Sequence, residues 1–294
     1  MRRFAAIGIL FALLAAGSAP AAAPPPVKPF ADTSRVVVIG GSLLEIIYAL
    51  GAESHVVARD ATGNYPPAAV RLPSVGYMRA LSPEGVLSVN PSAILAIAGS
   101  GPATALDVLA RAGVPFDEVP ESYSATGIVD KVLAVGTALG AEEKAKMLAD
   151  RLRTELAAVE RLAAQAPVKK RVLFVLSLAG GKVMASGSGT AADGIIRLAG
   201  AVNAVSGFSG YKPLDTEAVI AARPDAILVM ANGGDDSTGD AALLDNPGIA
   251  LTPAGRAHAL IRMDGEYLLG FGPRTPNAIR ELVGRLYPDL AGAD

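Results

Sequence analysis

Apolar residues in this chain form two kinds of run, and the two kinds alternate. The unbroken β-branched stretches Arg35-Val-Val-Val-Ile39 and Arg171-Val-Leu-Phe-Val-Leu176 suit strands covered on both faces, as in a parallel sheet. Each is followed by a helical pattern. In the first half Ser42 is placed to cap a helix running to Leu50, with Gly51 as its stop. In the second half Thr190 or Asp193 stands near the start, Ile195-Ile196 in the body and Gly200 at the end. Further strands are predicted over 93–97, 115–119, 226–230 and 258–261. Helices are predicted to begin near Glu84 and Glu217 and to end at Pro91 and Pro224, with others over 126–139 and 276–286. Strand alternating with helix in both halves argues for an α/β fold with two lobes.

One passage is written twice. Residues 82–97, SPEGVLSVNPSAILAI, lie without a gap over residues 215–230, DTEAVIAARPDAILVM, so that Glu84 falls on Glu217 and Pro91 on Pro224. The copies stand 133 positions apart, too far for a solenoid repeat and right for two similar lobes. Matched lobes make a cleft, and clefts between domains are where small ligands bind. Between the halves, residues 141–166 contain no glycine or proline, and Met147, Leu148, Leu152, Leu156, Val159 and Leu162 keep helical spacing. A single helix of ~40 Å, at about 1.5 Å per residue, would join the lobes stiffly and permit rocking rather than wide closure. The expected organisation is an export signal over 1–21, a Pro/Ala-rich tether over 22–32, an N-terminal lobe over 33–140, the connecting helix over 141–166 and a C-terminal lobe over 167–294.

The termini and composition narrow the class. Arg2-Arg3, the apolar run from Ala5 to Ala16 and the small residues around Ala19-Pro20-Ala21 read as an export signal, too short to span a bilayer of about 20 residues. The chain has no cysteine, so neither a lipid-anchoring thiol nor a disulfide is expected, and the mature protein is expected to be soluble in a periplasm. Removing Arg2 and Arg3 leaves 24 basic against 28 acidic residues, and no basic face asks for nucleic acid. Two scattered histidines, His55 and His258, make an ordinary zinc site improbable and read as structural. Gly40-Gly41-Ser42 is neither a dinucleotide fingerprint nor a phosphate loop, and Gly207-Phe-Ser209-Gly-Tyr211 is no nucleophile elbow. No nucleophile–base pair is evident, so the chain is not expected to be an enzyme.

The halves differ in a useful way. From Gly51 to Glu84 is 33 residues, from Gly200 to Glu217 only 17, so the first half carries a long loop containing Ala61-Thr-Gly-Asn-Tyr65-Pro-Pro and Leu72-Pro-Ser-Val-Gly-Tyr77-Met-Arg79. Such loops at strand ends usually carry function. Tyr77 stands seven residues before Glu84, and Tyr211 six before Glu217, so the two phenols are expected to face each other across the cleft. A phenol of pKa about 10 is a poor ligand at neutral pH unless a ferric iron bonds its oxygen or a cation such as Arg79 favours the phenolate. Tyrosinate is a known axial ligand of haem iron. From spacing alone a second reading stands beside this one: a loop tyrosine packing its ring with its hydroxyl in water. Glu84 and Glu217 are likewise either carboxylates stabilised by a helix dipole or two acidic knobs, one per lobe, for a two-fold partner carrying arginines.

Across residues 33–290 the chain resembles a class III periplasmic substrate-binding protein, with two Rossmann-like lobes on mostly parallel sheets joined by one long α-helix. The resemblance rests on the passage from Gly40 to Gly51, that from Leu72 to Glu84, the joining helix, Gly189-Thr-Ala-Ala-Asp193 and Gly270-Phe-Gly-Pro-Arg-Thr-Pro276. Gly76-Tyr77-Met78-Arg79 resembles the haem receptors of ABC-type haem uptake systems. That resemblance implies that Tyr77 ligates the iron of ferric haem b carried as transport ligand, that Arg79 hydrogen-bonds the phenolate, and that Glu84 and Glu217 dock on an inner-membrane ABC permease dimer with its ATPase. An outer-membrane haem receptor would stand upstream. Tyr65, Phe208, Tyr211, Met230 and Phe271 are candidate apolar walls, and Arg274 and Lys212 candidate contacts for the propionates. A receptor of the same class for a corrinoid or ferric siderophore is the alternative.

Overall fold

In the computed structural model, residues 27–231 and 239–291 are described; the expected export signal and residues 22–26 of the tether lie outside them. The first lobe is built on β1 (Val36–Ile39), β2 (Val56–Arg59), β3 (Ala93–Ile97) and β4 (Phe116–Val119), all parallel in the order β2-β1-β3-β4. Its helices are α1 (Gly41–Ala49), α2 (Pro83–Leu87), α3 (Ala103–Arg111) and α4 (Ala125–Leu139). α5 (Glu142–Ala163) then crosses to the second lobe. There β5 (Arg171–Ala179), β6 (Lys182–Ser186), β7 (Val202–Asn203), β8 (Tyr211–Leu214), β9 (Ala226–Met230) and β10 (Leu260–Met263) form one sheet, order β10-β9-β5-β6-β8, with β7 beside β5. β10, β9, β5 and β7 run parallel, whereas β6 and β8 are antiparallel additions. Its helices are α6 (Ala191–Leu198), α7 (Thr216–Ala222), α8 (Asp240–Leu244), α9 (Pro247–Ala250), α10 (Pro253–Arg256), α11 (Gly265–Leu269), α12 (Thr275–Leu286) and α13 (Pro288–Ala291).

The β-branched runs are buried on both faces, and the two faces go to different cores. Val36 and Val38 belong to one cluster, Val37 and Ile39 to another. The first cluster does not stop at the lobe boundary. It passes from Val36 and Leu95 through Ile128, Leu152 and Leu156 to Phe174, Ile195, Ile279 and Leu282, so α4, α5 and α12 form a shared apolar wall between the sheets. Separating the lobes widely would expose that wall at roughly 25 cal/mol per Å², which favours small rocking about α5.

Several sequence expectations are corrected. Ser42 does not cap α1: Gly40 stands at the cap without a side-chain bond, and the Ser42 hydroxyl inside the helix accepts instead from Lys131 Nζ at 3.2 Å. α2 ends at Leu87 rather than at Pro91. Met147 faces solvent, 74% exposed, while Ala145, Leu148, Leu152, Leu156 and Val159 carry the buried stripe of α5. His258 precedes β10 instead of beginning it, with φ of 50°, and His55 closes a short 3-10 turn where its Nδ1 lies 2.8 Å from the Thr33 carbonyl oxygen. Thr190 does cap α6, accepting from the Asp193 amide at 3.0 Å.

Candidate functional site

The loop carrying Tyr77 is fixed from both ends. The Val75 amide donates to the Arg59 carbonyl at 2.8 Å, and the Ala61 amide to the Gly76 carbonyl at 2.7 Å, so the loop hangs from the end of β2. Gly76 adopts φ of +100°, a conformation that a side chain would strain, and no atom lies within 4 Å of a Cβ built there. Next comes a tight turn in which the Ala80 amide donates to the Tyr77 carbonyl at 2.8 Å. Within this turn Arg79 Nη1 donates to the Tyr77 hydroxyl oxygen at 3.0 Å. Tyr77 remains 45% exposed, its hydroxyl oxygen held by a cation.

Two further phenols lie within reach of the Arg79 charge. Tyr211 is not in a loop, as its spacing suggested, but opens β8, opposite Ser186 of β6, with its ring edge-on to Phe174 at 6.4 Å between centroids. Tyr123, in the loop before α4, had no signal in the sequence; its ring meets Phe271 edge-on at 5.2 Å. Burial raises the pKa of both hydroxyls, and the charge of Arg79 pulls both down. Hydrogen bonds with Ser186 and Thr190 pull Tyr211 down further. Arg79 from the first lobe therefore acts on Tyr77 and Tyr123 of its own lobe and on Tyr211 of the second, which marks this as the place where the lobes face each other. Lys212 Nζ lies over the Phe208 ring, 5.4 Å from its centroid, on the same strand edge as Tyr211.

Other predicted wall and cation residues sit in a different environment. Phe271 is fully buried in the core that both lobes share, with φ of 52°, a conformation costly for a bulky side chain, and is not an open wall. Arg274 is tied between the lobes: its backbone amide and its Nε donate to the two carboxylate oxygens of Glu45 on α1, each at 2.8 Å. Its guanidinium stacks 3.6 Å from the centroid of the Tyr65 ring. Met230 packs at the end of β9, its sulfur 3.1 Å from where a Cβ on Gly265 would stand. Tyr65, Arg274 and Met230 are thus grouped around α11.

Glu45 and Arg274 belong to a polar seam that the sequence did not announce. Lys131 on α4, 1% exposed, donates to Glu121 at 2.7 Å, to Ser42 at 3.2 Å and to the Phe271 carbonyl of the second lobe at 3.2 Å. Burial pushes the Lys131 ammonium down and the Glu121 carboxyl up; their ion pair opposes both shifts. Among the described residues no group of three or more His, Cys, Asp or Glu side chains is placed to hold a metal ion, and no helix is long and apolar enough to cross a membrane. Glu84 and Glu217 stand exposed in the first turns of α2 and α7, behind the caps Ser82 and Asp215. Among the described residues neither forms an ion pair.

Two lobes on mostly parallel sheets are joined by one crossing helix, and residues 36–267 match the family described as periplasmic binding protein. The chain belongs to that family. Among solved structures, this periplasmic binding protein is similar to a periplasmic heme-binding protein BhuT in complex with two hemes, 44% identical, covering 87% of this chain and 99% of that one, with a TM-score of 0.82. It is also similar to the apo form of a periplasmic heme-binding protein RhuT from Roseiflexus sp. RS-1, 38% identical over 88% of this chain and 99% of that one, with a TM-score of 0.83. Among curated relatives, an uncharacterized ABC transporter substrate-binding lipoprotein YvrC of Bacillus subtilis is 25% identical over 88% of this chain and 81% of its own length. A vitamin B12-binding protein of Yersinia pestis is 34% identical over 88 residues, 30% of this chain and 31% of its own.

Proposed function

We propose that the protein binds ferric haem in the periplasm and delivers it to an inner-membrane ABC importer, carrying out no chemistry on it. The observation that carries this reading is the Arg79–Tyr77 hydrogen bond of 3.0 Å at the exposed tip of the cleft loop. A guanidinium donating to a phenol oxygen lowers the cost of losing the phenol proton, and an iron(III) centre bonding the same oxygen removes it. Tyr77 would then hold the iron of haem b from the first lobe. Tyr211 and Tyr123 would pack on the porphyrin, and Lys212, lying over the Phe208 ring, would offer its charge to a propionate. Arg274, engaged by Glu45, would serve as a tie between the lobes. The two solved neighbours that are 44% and 38% identical, both described as heme-binding, support this ligand over others of the class.

Exposed Glu84 and Glu217, one per lobe at pseudo-equivalent helix starts, would meet the arginines of a two-fold permease. An outer-membrane haem receptor would supply the periplasm. The test is a haem titration followed by visible absorption. Wild type should develop the Soret and charge-transfer bands of high-spin ferric haem on tyrosinate, and Tyr77→Ala should lose the charge-transfer band and bind more weakly. Equal spectra and affinities would overturn the assignment of Tyr77. The partial likeness to a vitamin B12-binding protein keeps a corrinoid as the second reading. Binding of cobalamin but not haem by the wild type would favour it.

A further inference from the structure

Glu266, on α11 of the second lobe, points its carboxyl into the first. The Asn64 amide is shared between Glu266 Oε2 at 3.1 Å and the Thr62 carbonyl at 3.0 Å. The other oxygen, Oε1, is buried without a hydrogen-bond partner. It lies 2.6 Å from where a Cβ on Gly41 would stand, and the Thr62 carbonyl oxygen 2.7 Å from the same point. Two oxygens thus crowd the bare backbone at the start of α1. As an acceptor Oε1 stays unsatisfied. A proton on Oε1 turns it into a donor, and the Thr62 carbonyl oxygen, which borders the same point above Gly41, is the acceptor that would take it.

We propose that Glu266 is a protonation-dependent clasp between the lobes: as a neutral acid it ties α11 to the Thr62–Asn64 loop, and as a carboxylate it loosens that tie. The surroundings favour the neutral form. Burial is the largest cause and raises its pKa to about 7; Glu45 on α1 and Asp264 in its own turn raise it further, against the Asn64 amide and Arg274 at the head of α12. Asp60, buried at the end of β2, faces the same loop but is held by the amides of Gly40 and Thr62 and by the Thr62 hydroxyl. Lys131 on α4 is taken up by Glu121, and the rings of Tyr65 and Tyr267 flank Arg274. The clasped loop also carries Ala61, whose amide holds the Gly76 carbonyl beside Tyr77, so the state of Glu266 reaches the ligand-binding tip through two hydrogen bonds.

The sign follows from the raised value. The tie is fully present below the ordinary carboxyl value of 4.5 and is lost as pH rises through about 7. A carboxyl titrating near 4.5 in the loosened form and near 7 in the clasped one shifts the clasped-to-loosened ratio by about 50- to 100-fold between pH 5 and pH 8. The chain has no cysteine, so Val108→Cys on exposed α3 and Leu251→Cys after α9 give one spin label per lobe for pulsed distance measurement. The ligand-free chain is used, which makes the result independent of what the cleft binds. In wild type the longer inter-lobe distances should grow from pH 5 to pH 8. Glu266→Gln, a permanently neutral donor, should hold the short distance throughout, and Glu266→Ala should show the long one at every pH. A wild-type distribution that does not move with pH, or a Gln variant that moves as the wild type does, overturns the proposal.

Discussion

Replacing Arg79 with alanine isolates the charge that the site places beside its phenol. Arg79 Nη1 lies 3.0 Å from the Tyr77 oxygen, and Tyr77 is 45% exposed. A hydrogen bond to a charged group is worth about 1.5–3 kcal/mol, and water at a half-exposed site pulls that toward the lower end. Some 1.4 kcal/mol is a factor of about ten, so Arg79→Ala should weaken ferric haem binding ~10-fold. The assay is a haem titration by Soret absorbance. Arg79→Lys should recover part of the lost affinity, because it restores the charge without the planar donor. If Arg79→Ala leaves affinity where it was while Tyr77→Ala abolishes the tyrosinate bands, the guanidinium has no role in holding the ligand oxygen.

Glu84→Lys combined with Glu217→Lys should abolish uptake through a reconstituted permease and leave haem affinity within about twofold, since both carboxylates are exposed in the first turns of their helices and neither is bonded to Tyr77 or Arg79; loss of haem binding would refute the division of roles. Lys131→Met removes one partner of a buried pair and strands the Glu121 carboxyl, a loss of about 3–5 kcal/mol read as a lower denaturant midpoint. Replacing both, Lys131→Met with Glu121→Leu, should recover much of that stability, because no buried charge is left unpaired.

What the sequence revealed and what it hid divide along a physical line. The strands at Val36–Ile39 and Ala226–Met230 were legible because burial on both faces leaves an apolar run that little else explains. α5 was legible because it lacks breakers over six turns, although Met147 shows that an apolar residue at nearly the right spacing can still face water. The hairpin of β5 and β6 was missed despite a clear signal, Gly180-Gly181 between apolar runs, with φ of 58° and 78°. The Tyr77–Arg79 contact was legible because it is local, made within one turn.

The seam between the lobes was not legible, and the reason is separation. Glu45 and Arg274 stand 229 residues apart and Asn64 and Glu266 stand 202 apart, and nothing local distinguishes any of them from a surface charge. Their burial is imposed by the packing of α1, α4, α11 and α12 around a core that runs through both lobes. A consequence follows for the ligand. A protein whose lobes share one apolar wall cannot close around a ligand by a wide swing, so on the proposed reading affinity resides in groups already in place: Tyr77 with its cation and Tyr123 on the first lobe, and Tyr211 on the second. Release must then come from small displacements, and the polar seam, where a few hydrogen bonds and one titrating carboxyl decide the spacing, is where a small displacement costs least.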